Sequence, residues 1–237
     1  MRPQIITFDC YGTLIDWNTG ITEAFQGEGK RRGFAVADEA EILSVYHEVE
    51  PQVQARRYRP YRQILEELES AVASRLGWKA SSGSRGFLAA SLPSWPPFAE
   101  TNPALRKLRK AGLRLGILSN IDDDLLAGTL EHLEVKFDLL VTAQQVRSYK
   151  PAAEHFKRAL MATDGSGDGL LHVAQSYFHD VHTAATLGIR TIWVNRAAEA
   201  CPADGCAPTA EVKNLSEAVN WIEEFVAGNN RPRARRG

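Results

Sequence analysis

Five polar side chains come directly after short apolar runs or just ahead of helical patterns in this sequence. They are carboxylates, small hydrogen-bonding groups and one lysine: Asp9, Ser119, Asn120, Lys150 and Asp180. A carboxylate held beside a lysine and exposed amide groups could act as a covalent nucleophile. The lysine would favour the charged form of the carboxylate, because an opposite charge a few ångströms away lowers its pKa. The set therefore indicates chemistry that begins with an aspartate nucleophile or with binding of an anion.

Each of these residues also has an ordinary structural interpretation. An aspartate after an apolar strand usually caps a turn or a helix, and Ser-Asn at a strand end does the same. A lysine in a loop is often solvated. Gly12 favours the functional interpretation of Asp9, because glycine lets the backbone turn tightly beside the carboxylate. Both interpretations stay open at the level of single residues.

The elements that would position these side chains follow from the apolar pattern. Short apolar runs alternate with helical spacing, as is typical of parallel strands joined by crossover helices. The predicted strands are 3–9, 113–118, 137–141, 170–174 and 190–194, and the helices between and after them are 102–111, 122–133, 152–163, 181–187 and 214–227. The fold class is therefore α/β, with a Rossmann-like three-layer parallel-sheet core. Ligands of such sheets bind beyond the carboxyl ends of the strands, where the five polar residues converge.

About a hundred residues separate the first two predicted strands, far more than one crossover needs. Helical spacing runs through 18–33, 38–56, 60–78 and 84–91, and a proline-rich stretch follows at 92–98. We predict a helical cap domain at 15–95, inserted into a core formed by 1–14 and 96–228. The arginine-rich residues 229–237 are predicted to be a disordered basic tail.

Composition and charge exclude several classes of protein. The chain has 237 residues, 44% of them apolar and 24% charged, with a net charge of −1. Four arginines lie in the last seven residues, so the rest of the chain carries −5, which disfavours a nucleic-acid partner. No apolar run approaches the roughly 20 residues of a membrane span, and no leader pattern precedes the first strand, so we expect a cytoplasmic protein. The three cysteines form no disulfide framework or zinc set, and a homodimer is left open.

Four short motifs in order make the pattern recognisable. They are Phe8-Asp-Cys-Tyr-Gly-Thr-Leu14, Leu118-Ser-Asn120, Tyr149-Lys-Pro151, and the Asp180 segment followed by Gly188-Ile-Arg-Thr-Ile-Trp-Val-Asn-Arg196. With a helical insertion after the first motif, the chain resembles the haloacid dehalogenase superfamily over nearly its whole length. Within it, the chain is most similar to the (S)-2-haloacid dehalogenase (type II) branch.

The residue two places after Asp9 distinguishes the branches. Phosphatases of the superfamily carry a second Asp there, which protonates the leaving alcohol and helps to bind Mg²⁺, whereas this chain has Tyr11. Ser176 likewise stands where phosphatases often place an acid. Asp9 and Asp180 without a third acid should hold Mg²⁺ poorly, because this hard ion prefers several oxygen ligands. We therefore expect no metal and no cofactor, with Mg²⁺ only under a phosphatase alternative.

The resemblance implies a two-step displacement on a small anionic substrate. Asp9 would attack the halogen-bearing carbon of a short 2-haloacid, and water would then hydrolyse the aspartyl ester to the 2-hydroxy acid. The implied roles are substrate and Asp9 binding for Thr13, Ser119 and Asn120, positive charge for Lys150, and activation of water for Asp180. The implied substrate-binding residues are Cys10, Tyr11, Arg59, Tyr61, Ser176 and Tyr177.

Two features bear on the halide acceptor. The family carries an arginine for the leaving halide on the first long cap helix, and residues 41–48 contain none. The segment 56–62 has four arginines and two tyrosines, so an arginine from it, with Arg59 favoured beside Pro60, is predicted to take that role. Two alternatives remain: a Mg²⁺-dependent small-molecule phosphatase, and a catalytically weak binding module.

Overall fold

The central sheet has six strands, all parallel. The structure is a computed structural model and describes residues 2–54, 58–78, 85–203 and 205–229. The strands are β1 Ile5–Phe8, β2 Arg114–Ser119, β3 Leu139–Thr142, β4 Leu170–Ala174, β5 Arg190–Val194 and β6 Ala210–Val212, arranged in the order β3-β2-β1-β4-β5-β6. The predicted α/β class is confirmed. Because β1 pairs with both β2 and β4, the loops after these three strands emerge side by side.

The described part of the chain contains ten α-helices. They are α1 Trp17–Arg32, α2 Glu39–Gln54, α3 Tyr61–Arg75, α4 Phe87–Ser91, α5 Thr101–Lys110, α6 Asp123–Leu130, α7 Ala143–Val146, α8 Glu154–Leu160, α9 His182–Thr186 and α10 Leu215–Asn229. A π-helical turn, Tyr177–Val181, leads into α9. None of the helices described is long and apolar enough to cross a membrane.

Both faces of the sheet are covered. On β1 the side chain of Ile5 packs into a cluster with Phe156 and Ala159 of α8, while Ile6 and Phe8 belong to the cluster on the other face. That second cluster includes Leu105 and Leu108 of α5 and Ile222 of α10. Successive side chains of a strand point to opposite faces, so the uninterrupted apolar run of β1 reflects burial on both sides and gives three layers.

Helices α1 to α4 occupy the sequence between β1 and β2. Asp16 accepts a hydrogen bond from Thr19 N at the start of α1, and Gly33 ends it with a left-handed φ of 73°. The buried carboxylate of Glu69 in α3 accepts from Gly86 N and Leu88 N, which holds the start of α4 against α3. The division into a core and a cap at 15–95 stays a prediction, although the helical character of this insertion agrees with it.

Several boundaries differ from the sequence expectation. The strand β6 and the helix α7 were not predicted, because three and four residues are too few to show a period. The helix expected at 181–187 is shorter and follows the π-helical turn. The predicted tail lies almost wholly outside the described residues, as do Arg56 and Arg57.

Candidate active site

Lys150 lies between the two carboxylates that the sequence singled out. Its Nζ donates to Asp9 Oδ1 at 2.8 Å, to Asp180 Oδ1 at 2.6 Å and to Leu118 O at 2.9 Å. The side chain is buried away from bulk water, and these three acceptors together satisfy all three protons of its ammonium group. Asp9 follows β1, Asp180 lies in the turn after β4, and Lys150 precedes α8. Three loops at the carboxyl edge of the sheet therefore meet at one cation.

Asn120 positions Lys150 through both the oxygen and the nitrogen of its side-chain amide. Its Nδ2 donates to Lys150 O at 3.0 Å, and its Oδ1 accepts from Lys150 N at 2.7 Å. This two-way bond fixes the loop before α8 to the end of β2. This pairing uses one of the two Nδ2 protons, and Asn120 also lines the cavity described below. The substrate-holding role that the resemblance implied for Asn120 therefore stays a prediction, beside its role in placing the lysine.

Thr13 has a similar positioning role and acts on the nucleophile, Asp9. Its Oγ1 donates to Asp9 Oδ2 at 2.8 Å and accepts from Gln175 N at 2.9 Å. The side chain is fully buried and does not border the cavity described below. The turn between Asp9 and Thr13 passes through Gly12, whose φ is 90° and where an added Cβ would lie 3.1 Å from the side chain of Gln175. Thr13 thus holds Asp9, as expected, whereas its side chain does not face the cavity.

The protonation of the three charged groups follows from burial and pairing. Burial raises the pKa of Asp180, but Lys150 and His172 outweigh it and hold that pKa well below the usual range. Burial also raises the pKa of Asp9, which Lys150 and Thr13 offset only in part. The lysine's own pKa is raised, because its two carboxylate partners outweigh the effect of burial. The site therefore contains a charged lysine and an ionised Asp180, with a nucleophile whose pKa lies above that of an ordinary aspartate.

A cavity of about 760 Å³ opens above these residues. Asp9, Ser119, Lys150 and Asp180 line it. Ser119 Oγ and Asp180 Oδ2 are buried and have no hydrogen-bond partner among the described residues. A buried hydroxyl and a buried carboxylate oxygen normally find a partner, so these two atoms are available to a substrate or a water in the cavity.

Four of the residues predicted to bind substrate line this cavity: Tyr11, Tyr61, Ser176 and Tyr177. Tyr11 Oη pairs with Thr129 Oγ1 at 2.8 Å, and Tyr177 Oη donates to Cys206 O at 2.9 Å. The hydroxyl of Ser176 accepts from His179 N and lies 3.0 Å from His179 Nδ1. They therefore contribute walls to the cavity, with hydroxyl groups already bonded within the protein.

Cys10 and Arg59 do not reach the cavity, and their predicted contacts with substrate are wrong. Cys10 is fully buried in the apolar core, because the residue after Asp9 points away from the strand end. The guanidinium of Arg59 pairs with Glu67 at 2.6 Å and donates to Val53 O. Arg62 pairs with Asp124 on the surface at 2.6 Å. Arg59 and Arg62, the two described members of the predicted arginine cluster, thus bind acids of the protein. Arg56 and Arg57 lie outside the described residues, so a halide acceptor from this segment stays a prediction.

Two residues to which the sequence analysis assigned no role contact the site. His172, in the middle of β4, has its Nε2 2.9 Å from Asp180 Oδ1. Arg196 lines the cavity and donates to the carbonyls of Gly12 and Thr13 and to Glu100, which fixes the loop that carries the nucleophile. The one signal for His172 is a polar residue inside a buried apolar strand, where an imidazole needs partners.

The donor set fits a divalent metal poorly. No group of three His, Cys, Asp or Glu side chains suited to a metal occurs within residues 2–54, 58–78, 85–203 and 205–229. Burial raises the pKa of Tyr11 well above its usual range, so the residue two places after Asp9 is a neutral phenol. The Lys150 ammonium lies between the two carboxylates. It occupies Oδ1 of each, and two carboxylates with a neutral phenol supply fewer hard oxygen ligands than Mg²⁺ prefers.

Comparisons with known proteins relate this chain to one family and one fold. Residues 3–188 match the family model described as haloacid dehalogenase-like hydrolase. The (S)-2-haloacid dehalogenase of Pseudomonas sp. (strain YL) is 27% identical over 228 residues, covering 92% of this chain and 94% of that protein. The L-2-haloacid dehalogenase of Xanthobacter autotrophicus with chloropropionic acid covalently bound superposes with a TM-score of 0.77 at 18% identity, covering 93% and 98%. YfnB of Bacillus subtilis, bound to magnesium, superposes with a TM-score of 0.79 at 15% sequence identity, covering 94% of this chain and 100% of YfnB.

Proposed function

The chain belongs to the haloacid dehalogenase-like hydrolases, and within them we propose that it acts at carbon on a 2-haloacid without a metal or other cofactor. A carboxylate oxygen of Asp9 would bond to C2 of the acid as the carbon–halogen bond breaks, and the halide would leave with the bonding pair. Water would then add to the ester carbonyl of Asp9. Cleavage of that ester releases the 2-hydroxy acid and restores the carboxylate.

The position of Lys150 is the observation that carries this proposal. Its ammonium contacts Asp9 and Asp180 together, at 2.8 and 2.6 Å, and Tyr11 supplies no third carboxylate. Phosphoryl transfer needs metal ions in addition to clamping cations to neutralise the developing charge, and Tyr11 stands where a further carboxylate would help to hold a metal. Displacement at carbon needs an ionised nucleophile held in line, which a buried lysine and Thr13 provide for Asp9.

The two unpartnered atoms of the cavity suit the two steps. Ser119 Oγ–H is a donor beside Asp9 and would bind the carboxylate of the substrate. Asp180 Oδ2 accepts only, because its carboxylate is ionised, and would take a proton from the water that attacks the ester.

The relatives support the substrate class. The Pseudomonas protein is named as an (S)-2-haloacid dehalogenase, and the Xanthobacter protein carries chloropropionic acid covalently. YfnB carries magnesium on a similar fold, so the fold does not decide the reaction and the residues of the site must. The handedness of the acid, the location in the cytoplasm and a homodimeric assembly stay proposals.

The test is a single turnover in H₂¹⁸O with (S)-2-chloropropionate. We expect one halide per enzyme, and ¹⁸O in the peptide that contains Asp9, because water attacks the ester carbonyl and one of its oxygens stays in the carboxylate. Asp9→Asn should release no halide, since the amide is a poor nucleophile of nearly the same shape. Label found only in the hydroxy acid would indicate direct attack by water and contradict the proposal.

Matched controls separate this reaction from the alternatives. Asp124→Asn removes an exposed carboxylate paired with Arg62 and should turn over normally. Halide release should be the same with and without EDTA, and phosphate release from small phosphomonoesters should be absent in both. Phosphate release that requires Mg²⁺ would favour the phosphatase, and no turnover with any substrate would favour the binding module.

A further inference from the structure

A buried histidine connects the middle of the sheet to Asp180. His172 lies on β4 with no exposed surface, and its neighbour across the sheet in the β1–β4 register is Thr7. Its Nδ1 lies 2.9 Å from Thr7 Oγ1 and its Nε2 lies 2.9 Å from Asp180 Oδ1. The ring of Phe156 packs against the imidazole edge-on at 5.2 Å. Both ring nitrogens are therefore bonded in a place where the strand otherwise carries apolar side chains.

The partners determine which nitrogen carries the proton. Asp180 is ionised, since Lys150 and His172 hold its pKa well below the usual range against the effect of burial. An ionised carboxylate only accepts, so Nε2 of His172 donates to it. In a neutral imidazole Nδ1 is then the acceptor, and the hydroxyl of Thr7 donates to it. Asp180 thus determines that Nε2 carries an N–H, and the hydroxyl of Thr7, which can donate or accept, complements Nδ1.

The two oxygens of Asp180 are unequally engaged. Oδ1 accepts from both Lys150 and His172, at 2.6 and 2.9 Å. Oδ2 is buried without a partner among the described residues, and Asp180 lines the cavity. Two donors on one oxygen fix the rotation of the carboxylate about its last bond. With Lys150 alone, either oxygen could face the ammonium.

We propose that His172 is a positioning residue, which keeps Oδ2 of Asp180 directed at the water that hydrolyses the aspartyl ester. This inference rests on the proposed function. Oδ2 takes a proton from water as the water oxygen bonds to the ester carbonyl carbon. The bond from that carbon to the product oxygen then breaks, and the proton passes to this oxygen to complete the 2-hydroxy acid. The second proton of the water stays on the regenerated carboxyl group of Asp9 and is released to solvent as the carboxylate re-forms. His172 touches neither the substrate nor the water.

The two steps should depend on His172 to different degrees. Asp9 is held by Lys150 and Thr13, and neither contact involves the histidine. Ester formation should therefore keep its rate when His172 is replaced. Ester hydrolysis should slow, because the carboxylate that activates water loses its orientation. A general loss of folding would slow both steps together.

The experiment is rapid-quench kinetics with (S)-2-chloropropionate on the wild type, His172→Leu and His172→Gln. In the leucine variant we expect a burst of about one halide per enzyme at the wild-type rate, followed by steady turnover at least about tenfold slower. Intact-mass spectrometry should then show the ester accumulating on the protein. The glutamine variant presents an N–H near the position of Nε2 and should recover most of the steady rate.

Two further variants keep the result interpretable. Leu171→Ala damages the packing of the same buried strand without touching Asp180, and it should change neither the burst nor the ratio of the two rates. Thr7→Val removes the donor to Nδ1 and should slow hydrolysis less than His172→Leu does, which provides a test if the leucine variant fails to fold. Equal slowing of burst and steady rate, or no slowing, would overturn the role of His172. A wild type that releases no halide would contradict the proposed function and this inference with it, whereas a normal wild-type burst leaves the proposed function intact.

Discussion

The ammonium of Lys150 is costly to bury and is matched to its surroundings. Removing a charge from water costs several kcal/mol unless partners replace the solvent, and Lys150 has two carboxylates and one carbonyl as partners. Loss of one partner of such a group typically costs about 3–5 kcal/mol. An apolar replacement of the whole group would often be as stable. The site is therefore better explained by reactivity than by its contribution to stability.

A second buried histidine provides a pH test at the residue scale. His155 is fully buried, with Nε2 3.1 Å from Ser119 O, and burial followed by the charge of Lys150 lowers its pKa from 6.5 to about 4. As the pH falls, His155 therefore binds a proton near pH 6.5 in the unfolded chain but only near pH 4 in the folded chain. This histidine therefore leaves the free energy of unfolding unchanged above about pH 6.5. It lowers that free energy as the pH drops from about 6.5 to about 4, by roughly 3 kcal/mol at most.

Urea unfolding at pH 7 and pH 4.5 measures this effect. His155→Gln keeps an N–H for the Ser119 carbonyl and does not titrate, so we expect a smaller loss of unfolding free energy between the two pH values than in the wild type. His132→Gln, at an exposed position, should retain the wild-type loss. The same loss in His155→Gln as in the wild type would show that other groups cause the pH dependence.

The residues that could be predicted are those placed by the end of a strand. Asp9 and Asp180 follow strands that are recognisable from their apolar runs, so their convergence follows from the geometry of a parallel sheet. His172 lies inside such a run, where the pattern gives burial but not the partner on a neighbouring strand. The predicted substrate contacts of Cys10 and Arg59 were wrong because the direction of a side chain within a loop depends on local backbone angles. The spacing of apolar residues in the sequence does not indicate these angles.

At the scale of elements, a carboxylate from the loop after β2 caps a helix of the insertion. Asp122, buried in the loop after β2, accepts from Tyr61 N through Oδ1 and from Arg62 N through Oδ2, both at 2.9 Å. These are the first two backbone donors of α3, which otherwise have no partner within the helix. The negative charge also suits the positive end of the helix. Asp122 thereby fixes Tyr61, which lines the cavity.

Replacement of Asp122 should affect stability and substrate binding together. Asp122→Ala should lower the unfolding free energy by about 1–2 kcal/mol, as for other lost helix caps, and raise KM through the displaced Tyr61. Asp122→Asn keeps one acceptor oxygen and should lie between the alanine variant and the wild type. Urea unfolding and steady-state kinetics measure the two effects. An alanine variant with normal stability would mean that water replaces the carboxylate at the helix end.

The elements themselves were predictable where they are long. Helix α3 repeats Leu65, Leu68 and Val72 at helical spacing, and its bounds lie within three residues of the expectation. The capping contact from Asp122 spans sixty-one positions in sequence, and nothing local to either segment indicates it. Arg59, just before α3, and Arg62, in its first turn, were misread for the same reason. Their acidic partners Glu67 and Asp124 are recognised only once the helices are packed.

At the scale of the whole molecule, the cavity is large for the acid that the family resemblance implies. A three-carbon haloacid has six non-hydrogen atoms and fills on the order of 180 Å³, at the roughly 30 Å³ per water-sized atom of a liquid. The cavity measures about 760 Å³ and is bordered by several aromatic side chains, namely Trp17, Tyr61, Phe98, Tyr177 and Phe178. Phe178 is 66% exposed, which is unusual for so large an apolar group.

This space predicts that acids with a longer apolar chain at C2 are better substrates than 2-bromopropionate. We expect kcat/KM for (S)-2-bromohexanoate to exceed that for (S)-2-bromopropionate, because the extra methylenes are removed from water at about 0.8 kcal/mol each when fully buried. Phe178→Ala should lower kcat/KM for the hexanoate by about fivefold and leave the propionate within twofold. Met161→Ala, which removes another exposed apolar side chain away from the cavity, should change neither value. Equal kcat/KM for both acids in all three proteins would mean that water, not substrate, fills the outer part of the cavity.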